Sequence, residues 1–252
     1  MDPPPSTASV TAGLTLVGVG PGDPELVTVA GVRAIRAADV VAYPVAESAA
    51  EGIAASIAAP WIRPSQVRLP LPFPMVSAAE PRRRAWWQAA DRLAAELAGG
   101  ARVVFLCEGD VSLFATASYV LLALKRRHPG CPVRLIPGIA APLAAAAAGA
   151  WPLALQQEGL RIVPTPETEA ELSVLLDRAS GAAEVLALLK LGRRWSWVRP
   201  LLERHGLLDF TLLARRVGWP DEQVAPAAAV PAGALPYFSL LLVRQGWPAV
   251  LP

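Results

Sequence analysis

The sequence predicts an α/β protein of two domains built on mainly parallel sheets. Three observations carry that expectation. Apolar, β-branched runs alternate with longer amphipathic segments, the pattern of strands joined by crossover helices. The alternation occurs twice, on either side of a Pro/Gly/Ala-rich segment at 137–152. Acidic, glycine-rich turns follow two of the strands directly, where open α/β sheets bind ligands.

Taken in order, Met1 to Ala12 contains Pro3, Pro4 and Pro5 and lacks a basic or long apolar region. It reads as a disordered tail rather than a signal peptide. Strands are expected at Leu14–Val19, Val40–Tyr43, Arg102–Cys107 and Val133–Ile136. Helices are expected at Val29–Ala38, Ala49–Ala58, Glu80–Leu97 and Leu113–Arg127, with lengths that suit crossovers. After the Pro/Gly/Ala segment come strands at Leu160–Val163, Val185–Leu189, Phe210–Ala214 and Phe238–Val243, with helices at Glu167–Ala179 and Trp195–Arg204. The domains are therefore expected at 13–136 and 137–252, with the cleft between them as the default ligand site.

Composition excludes several classes. With 252 residues, 54% hydrophobic and 17% charged, the chain is too apolar to stay disordered, and its alanine content argues against an all-β sandwich. A net charge of +2 cannot supply the field a nucleic-acid binder needs. Lysine occurs only at Lys125 and Lys190, so the other 21 basic residues are Arg, whose planar fork pairs well with carboxylates. Coding bias toward GC would give the same excess. Cys107, Cys131, His128 and His205 offer neither a disulfide framework nor metal-ligand spacing, so a reducing compartment, the cytoplasm by default, and no protein-bound metal are expected. The uncharged stretch Leu135 to Gln157 is long enough for a membrane span, but Pro137, Gly138, Pro142, Gly149 and Pro152 interrupt it, and a buried helix between turns is the expectation.

The first glycine turn is Gly18-Val19-Gly20-Pro21-Gly22-Asp23-Pro24. Its glycines let a ligand approach the backbone without meeting a Cβ. The dinucleotide fingerprint runs straight into a helix, whereas here Pro21 stiffens the loop, Asp23 places an anion at its mouth and Pro24 delays the helix, so a nicotinamide enzyme is disfavoured. Such a carboxylate repels phosphate and suits a cationic or hydroxyl-bearing ligand. A capped turn, with Asp23 and Thr28 as N-caps, is the alternative reading. The second turn, Glu108-Gly109-Asp110-Val111-Ser112, follows the third strand. In a parallel sheet the two share one edge, which points to a ligand with positive charge and hydroxyls, such as S-adenosylmethionine.

The run Leu16 to Thr28, then Ala38-Asp39-Val40-Val41 and Tyr43-Pro44, resembles the opening of the tetrapyrrole (corrin/porphyrin) methyltransferases. Further matches are Leu71-Pro72-Phe73-Pro74-Met75, Cys107-Glu108-Gly109-Asp110 with Thr116 and Tyr119, Pro137-Gly138-Ile139, Leu189-Lys190-Leu191-Gly192-Arg193 and Tyr237-Phe238-Ser239. The Leu-Pro-Phe-Pro-Met, Cys-Glu-Gly-Asp and Tyr-Phe-Ser stretches resemble most the branch that methylates C-20 of precorrin-2. The resemblance implies a class III methyltransferase fold, S-adenosylmethionine held in the cleft between two α/β domains, a tetrapyrrole substrate and a homodimer. It places Pro21, Glu108, Gly109, Asp110, Leu113, Ala140 and Ala141 beside the cofactor, with Lys190 and Ala214 as weaker matches. Gly20, Gly22 and Asp23 would face the tetrapyrrole. The family's Gly-Asp-Pro reads Gly109-Asp110-Val111, and Ala140 stands where a hydroxyl residue is usual.

The C-20 carbon is already nucleophilic and the sulfonium already an activated donor, so the enzyme's main task is alignment. A base is wanted for the C-20 proton, and Asp23, Glu108 and Asp110 are all candidates. Arginines should meet the tetrapyrrole carboxylates, with Arg82, Arg83, Arg84 and Arg193 (with Arg194) as candidates against a plain solvated surface. Cys107 reads as core, His128 and His205 as helix C-termini, and Trp86, Trp87, Trp195 and Trp197 as packing residues that could instead stack on a macrocycle.

Overall fold

In the computed structural model, which describes residues 13–46 and 51–248, the chain divides into two compact units, Met1–Ile139 and Ala140–Pro252. The expected N-terminal tail and the first residues of the expected helix at 49–58 lie outside the described residues, and the rest of that helix includes α2 (Ile53–Ala58).

The first unit is organised on a five-stranded sheet in which every pair is parallel. Its strands are β1 (Leu14–Gly18), β2 (Val40–Ala46), β3 (Val67–Phe73), β4 (Val103–Cys107) and β5 (Val133–Ile136), in the order β3-β2-β4-β1-β5. The runs in β1 and β4 are apolar except for Thr15 because these central strands are covered on both faces. On one face Leu14, Leu16, Val103 and Phe105 meet Leu93 of α3 (Ala79–Ala98) and Val120 and Leu124 of α4 (Thr116–Arg127). Alternation turns Val17 to the other face, where Gly31 of α1 (Val29–Ala37) closes on it. Thr28 caps α1 by accepting a hydrogen bond from the Gly31 N–H at 3.1 Å.

Strand β3 is not among the expected elements because Pro70 and Pro72 read as breakers. It is an edge strand, where a residue without an N–H is tolerated, and Leu69 and Leu71 still alternate into the core. The segment after it, entering α3, carries Met75 and Val76 exposed.

The second unit holds β6 (Gly159–Pro164), β7 (Glu184–Leu189), β8 (Thr211–Arg215), β9 (Gln223–Pro226) and β10 (Ser239–Val243), ordered β6-β7-β10-β8-β9. The expectation of mainly parallel sheets needs correction here. Only β6 and β7 pair in parallel, while β10 runs antiparallel to both β7 and β8, and β9 antiparallel to β8. A parallel neighbour requires a crossover of a dozen or more residues, usually through a helix. After β8 the chain turns directly into β9 and returns to β10 with no α-helix between, so its pairings are antiparallel. The core gathers Leu172 and Leu176 of α6 (Glu169–Ala182), Trp195, Val198 and Leu202 of α7 (Trp195–Arg204), and Leu186, Leu213 and Leu241 from the sheet.

The uncharged stretch forms only the eight-residue helix α5 (Ala141–Ala148), which buries Pro142, Ala144, Ala145 and Ala146. Among the described residues no helix is long and apolar enough to cross a membrane.

Candidate functional site

Because β4, β1 and β5 are neighbours and parallel, the loops at their carboxyl ends leave the sheet side by side. The pairing continues past the strands. The Val19 N–H donates to the Cys107 carbonyl at 2.9 Å, and Gly20 and Gly109 exchange N–H···O bonds in both directions at 3.2 and 2.8 Å. The third loop closes against these two. A Cβ on Gly18 would stand 2.6 Å from the Gly109 carbonyl oxygen, and one on Gly138 only 2.1 Å from that same atom. Three turns thus touch through bare backbone, an arrangement open only to glycine at Gly18 and Gly138. Gly109 itself has φ +68° and open space where its side chain would be.

The turn segments 18–24, 107–113 and 137–140 carry three carboxyl groups, those of Asp23, Glu108 and Asp110, and no Lys or Arg. The structure gives the three different employment. Asp23 caps the 3₁₀ turn Pro24–Leu26, its Oδ1 accepting from the Glu25 N–H at 2.8 Å. Asp110 is the clamp of the edge. Its Oδ1 accepts from the backbone N–H and the hydroxyl of Ser112 at 2.8 and 2.5 Å, and its Oδ2 accepts from the Gly138 N–H at 3.0 Å. Burial raises the Asp110 pKa, but the hydrogen bonds from Ser112, Gly138 and Val111 outweigh it and hold the carboxyl below its usual range. Glu108 is half-buried and, among the described residues, accepts no hydrogen bond and forms no ion pair. Desolvation alone pushes its pKa up to about 7.

Ser112 completes the Asp110 clamp and is not among the site residues the sequence singles out. The signal was there in the Asp110-x-Ser112 spacing, since an aspartate oxygen often receives the N–H two residues on. Val111, where the family has proline, is buried in the core at 4% exposure. Cys107 is buried as expected, and burial, aided by the Asp110 and Glu108 charges, pushes its thiol up to about 12.

Around this centre, Pro21 is buried and Gly22 and Leu113 are half-buried. Arg82, Arg83 and Arg84 occupy the first turns of α3, entered from the carboxyl end of β3 and so from the same edge of the sheet. Arg83 pairs with Glu80 and lies over the Trp87 ring, Arg82 donates to the Ala78 carbonyl, and Arg84 lines a depression with Pro72, Pro74 and Gln88. Trp86 stacks on Tyr119 at 4.3 Å between ring centroids, and Trp195 is wholly buried.

The remaining expected residues belong to the second unit. Ala140 is the N-cap position of α5 and makes no side-chain cap, and Ala141 is the first residue of that helix. Lys190 follows β7 with φ +57°, exposed, and Ala214 is fully buried within β8. The ends of β7 and β8 both tie to the start of β10, through Leu191 N–H to the Ser239 carbonyl at 3.0 Å and Arg216 N–H to the Phe238 carbonyl at 2.8 Å. Arg193 is exposed nearby, and Arg194 pairs with Glu167.

Comparison with known proteins gives a consistent picture. The model of the Tetrapyrrole (Corrin/Porphyrin) Methylases matches residues 13–230. The chain is 36% identical over 240 residues to the cobalamin biosynthesis protein CobIJ of Mycobacterium tuberculosis, covering 91% of this chain but 45% of that protein. It thus spans about half the length of that relative. It is 32% identical over 239 residues to the precorrin-2 C(20)-methyltransferase of a Sinorhizobium species, covering 92% and 94% of the two chains. Among solved structures, a cobalt precorrin-4 methyltransferase, CbiF, superposes with a TM-score of 0.66 at 20% identity over 92% of this chain and 95% of its own. A uroporphyrin-III C-methyltransferase from Thermus thermophilus, complexed with S-adenosylhomocysteine, gives 0.61 at 22% identity over 92% and 97%.

Proposed function

Since the chain belongs to the tetrapyrrole (corrin/porphyrin) methylases, we propose that it is an S-adenosylmethionine-dependent C-methyltransferase acting at C-20 of precorrin-2 or of cobalt-factor II in cobalamin biosynthesis, as a homodimer. The observation that carries the reading is the set of glycine-bare turns after β1, β4 and β5, which together carry three carboxyl groups and no Lys or Arg. That donor set fits a ligand bearing a sulfonium, an ammonium and ribose hydroxyls, and would repel a phosphate. When bound, S-adenosylmethionine supplies a methyl group already activated by the sulfonium.

The chain's own residues then have positioning work to do. Gly18 and Gly138 keep three turns in backbone contact, and Asp110 locks two of them together through Ser112 and Gly138. With these turns held rigid, alignment of donor and acceptor supplies much of the rate and no nucleophilic side chain is needed. Arg82, Arg83 and Arg84 at the same sheet edge suit the carboxylates that ring a tetrapyrrole, with Arg193 as the corresponding candidate in the second unit. The C-20 position rests on the likeness to the Sinorhizobium enzyme and on the Leu71–Met75, Cys107–Asp110 and Tyr237–Ser239 stretches.

The test is turnover with methyl-labelled S-adenosylmethionine and each tetrapyrrole in turn, with the product read by mass spectrometry and NMR. One added methyl at C-20 is the expected result, and the preferred substrate decides between the metal-free and cobalt-loaded forms. A methyl at another carbon refutes the ring position. Cofactor binding without transfer to either substrate identifies a non-catalytic binding protein, with Val111 and Ala140 as the departures to revert first.

A further inference from the structure

Of the three carboxyl groups on the candidate edge, two are spent on holding turns and one is not. Asp110 accepts three hydrogen bonds through both oxygens, so taking a proton there would break the clamp that joins two loops. Asp23 holds the start of the Pro24–Leu26 turn. Glu108 is the first residue beyond β4, at the centre of the edge, and among the described residues no group bonds to its oxygens. A half-buried carboxyl without a partner costs stability, and such a group is retained where its chemistry is used.

We propose that Glu108 is the general base that removes the C-20 proton after methyl transfer. The assignment rests on the reaction proposed above. In the balanced step, C-20 uses a π electron pair of the ring to form the new carbon–carbon bond, while the methyl–sulfur bond breaks with its pair left on sulfur as a thioether. The C-20–H bond then breaks, its pair restores conjugation in the macrocycle, and the proton goes to a Glu108 oxygen and on to solvent. No oxidant or metal is consumed.

The ionisation of Glu108 suits this work. Its pKa, pushed up to about 7 by desolvation, leaves a large carboxylate fraction at neutral pH and makes it a stronger acceptor than an exposed glutamate. Cys107 precedes it on the strand and Asp110 follows it two residues on in the turn. The cause of its shift is desolvation by burial.

The same base should work without the methyl donor. A carboxyl that can deliver a deuteron to C-20 and take back the proton exchanges that hydrogen with D₂O, so the experiment is anaerobic NMR exchange of enzyme-bound precorrin-2 in D₂O with no cofactor. Wild type should accelerate exchange at C-20, and Glu108→Gln should lose about 10²–10⁴-fold of that acceleration. Calorimetry with the tetrapyrrole alone should give an affinity for Glu108→Gln within a few-fold of wild type. Unchanged exchange in Glu108→Gln overturns the proposal, as does loss of tetrapyrrole affinity in parallel with exchange, which would make Glu108 a substrate-binding residue. Exchange that depends on Glu108 but at another meso carbon keeps the base and overturns the ring position. Wild type that does not bind the tetrapyrrole overturns both readings.

Discussion

The two sheets of this molecule have the same number of strands and hold their loops by opposite means. In the first unit every strand is parallel, so the turns after β4, β1 and β5 emerge on one edge and are joined through bare backbone, with Gly18, Gly109 and Gly138 in contact. In the second unit the ladder is mostly antiparallel, and beyond the end of β10 a side chain does the joining. Arg244, wholly buried, pairs with Glu158, donates to the Pro152 carbonyl at 2.8 Å and lies 4.4 Å from the Trp247 ring centroid. The lesson is that a parallel edge can be closed without side chains. Its surface then stays open to a ligand, whereas an arginine clasp fills the space it organises.

Substitutions at the two fastenings should separate them most sharply. Arg244→Ala leaves the Glu158 carboxylate half-buried and unpaired and should cost roughly 3–5 kcal/mol. Arg244→Met, which keeps much of the volume beside Trp151 and Trp247, should cost less only if Glu158 is also neutralised as Gln. Gly138→Ala forces a Cβ to within 2.1 Å of a carbonyl oxygen with no flexible side chain to yield, and should cost about 3 kcal/mol or more. Denaturant unfolding checks both. The Arg244 variants should keep cofactor affinity, while Gly138→Ala should lose it along with stability.

The carboxyl groups of the first unit sharpen the comparison through pH, because two neighbours on one turn move in opposite directions. Glu108 has a folded pKa of about 7 against an ordinary 4.5. Its burial costs nothing below pH 4.5, and stability is lost as pH rises through 7, by on the order of 3 kcal/mol. Glu108→Gln should therefore be more stable than wild type at pH 8 and equal to it in acid. Asp110 has a folded pKa below its ordinary 3.8, so its contribution is complete above that value and is lost as pH falls through the lowered one. Asp110→Asn should cost roughly 1–2 kcal/mol at pH 7, with the difference shrinking in acid. Stability curves from pH 3 to 9 that ran in the same direction for both variants would contradict the structure.

Much of the first unit was legible in the sequence because a parallel sheet writes its strands as continuous apolar runs and its functional edge as glycine turns directly after them. The expected β5 coincides with the observed strand, and the expected β1, β4, α1 and α3 differ from the structure by a single residue at one end or both. Strand β3 was hidden because proline reads as a breaker unless the strand is known to lie at an edge, and edge position is a property of the whole sheet. Strand β9 and the antiparallel ladders were hidden for a related reason. Periodicity marks a strand without its direction, and direction follows from the length of the connections. Within the candidate site, residue types and spacing singled out Asp23, Glu108 and Asp110 equally. What sets them apart is which oxygens already hold hydrogen bonds, and only coordinates carry that information.

The smallest effect expected is also the control for the largest. Gly181 lies near the end of α6 in the second unit, and a Cβ there would meet nothing within 4 Å. The change made at Gly138 should then act in reverse, since alanine restricts the unfolded chain and favours the helix, and Gly181→Ala should stabilise by about 0.5 kcal/mol. Opposite signs from one chemical change would locate the cost of Gly138→Ala in the crowded backbone of the parallel edge. A loss of stability at Gly181 would instead mean that α6 ends differently, and that its left-handed C-cap at Ala183 depends on the glycine two residues before it.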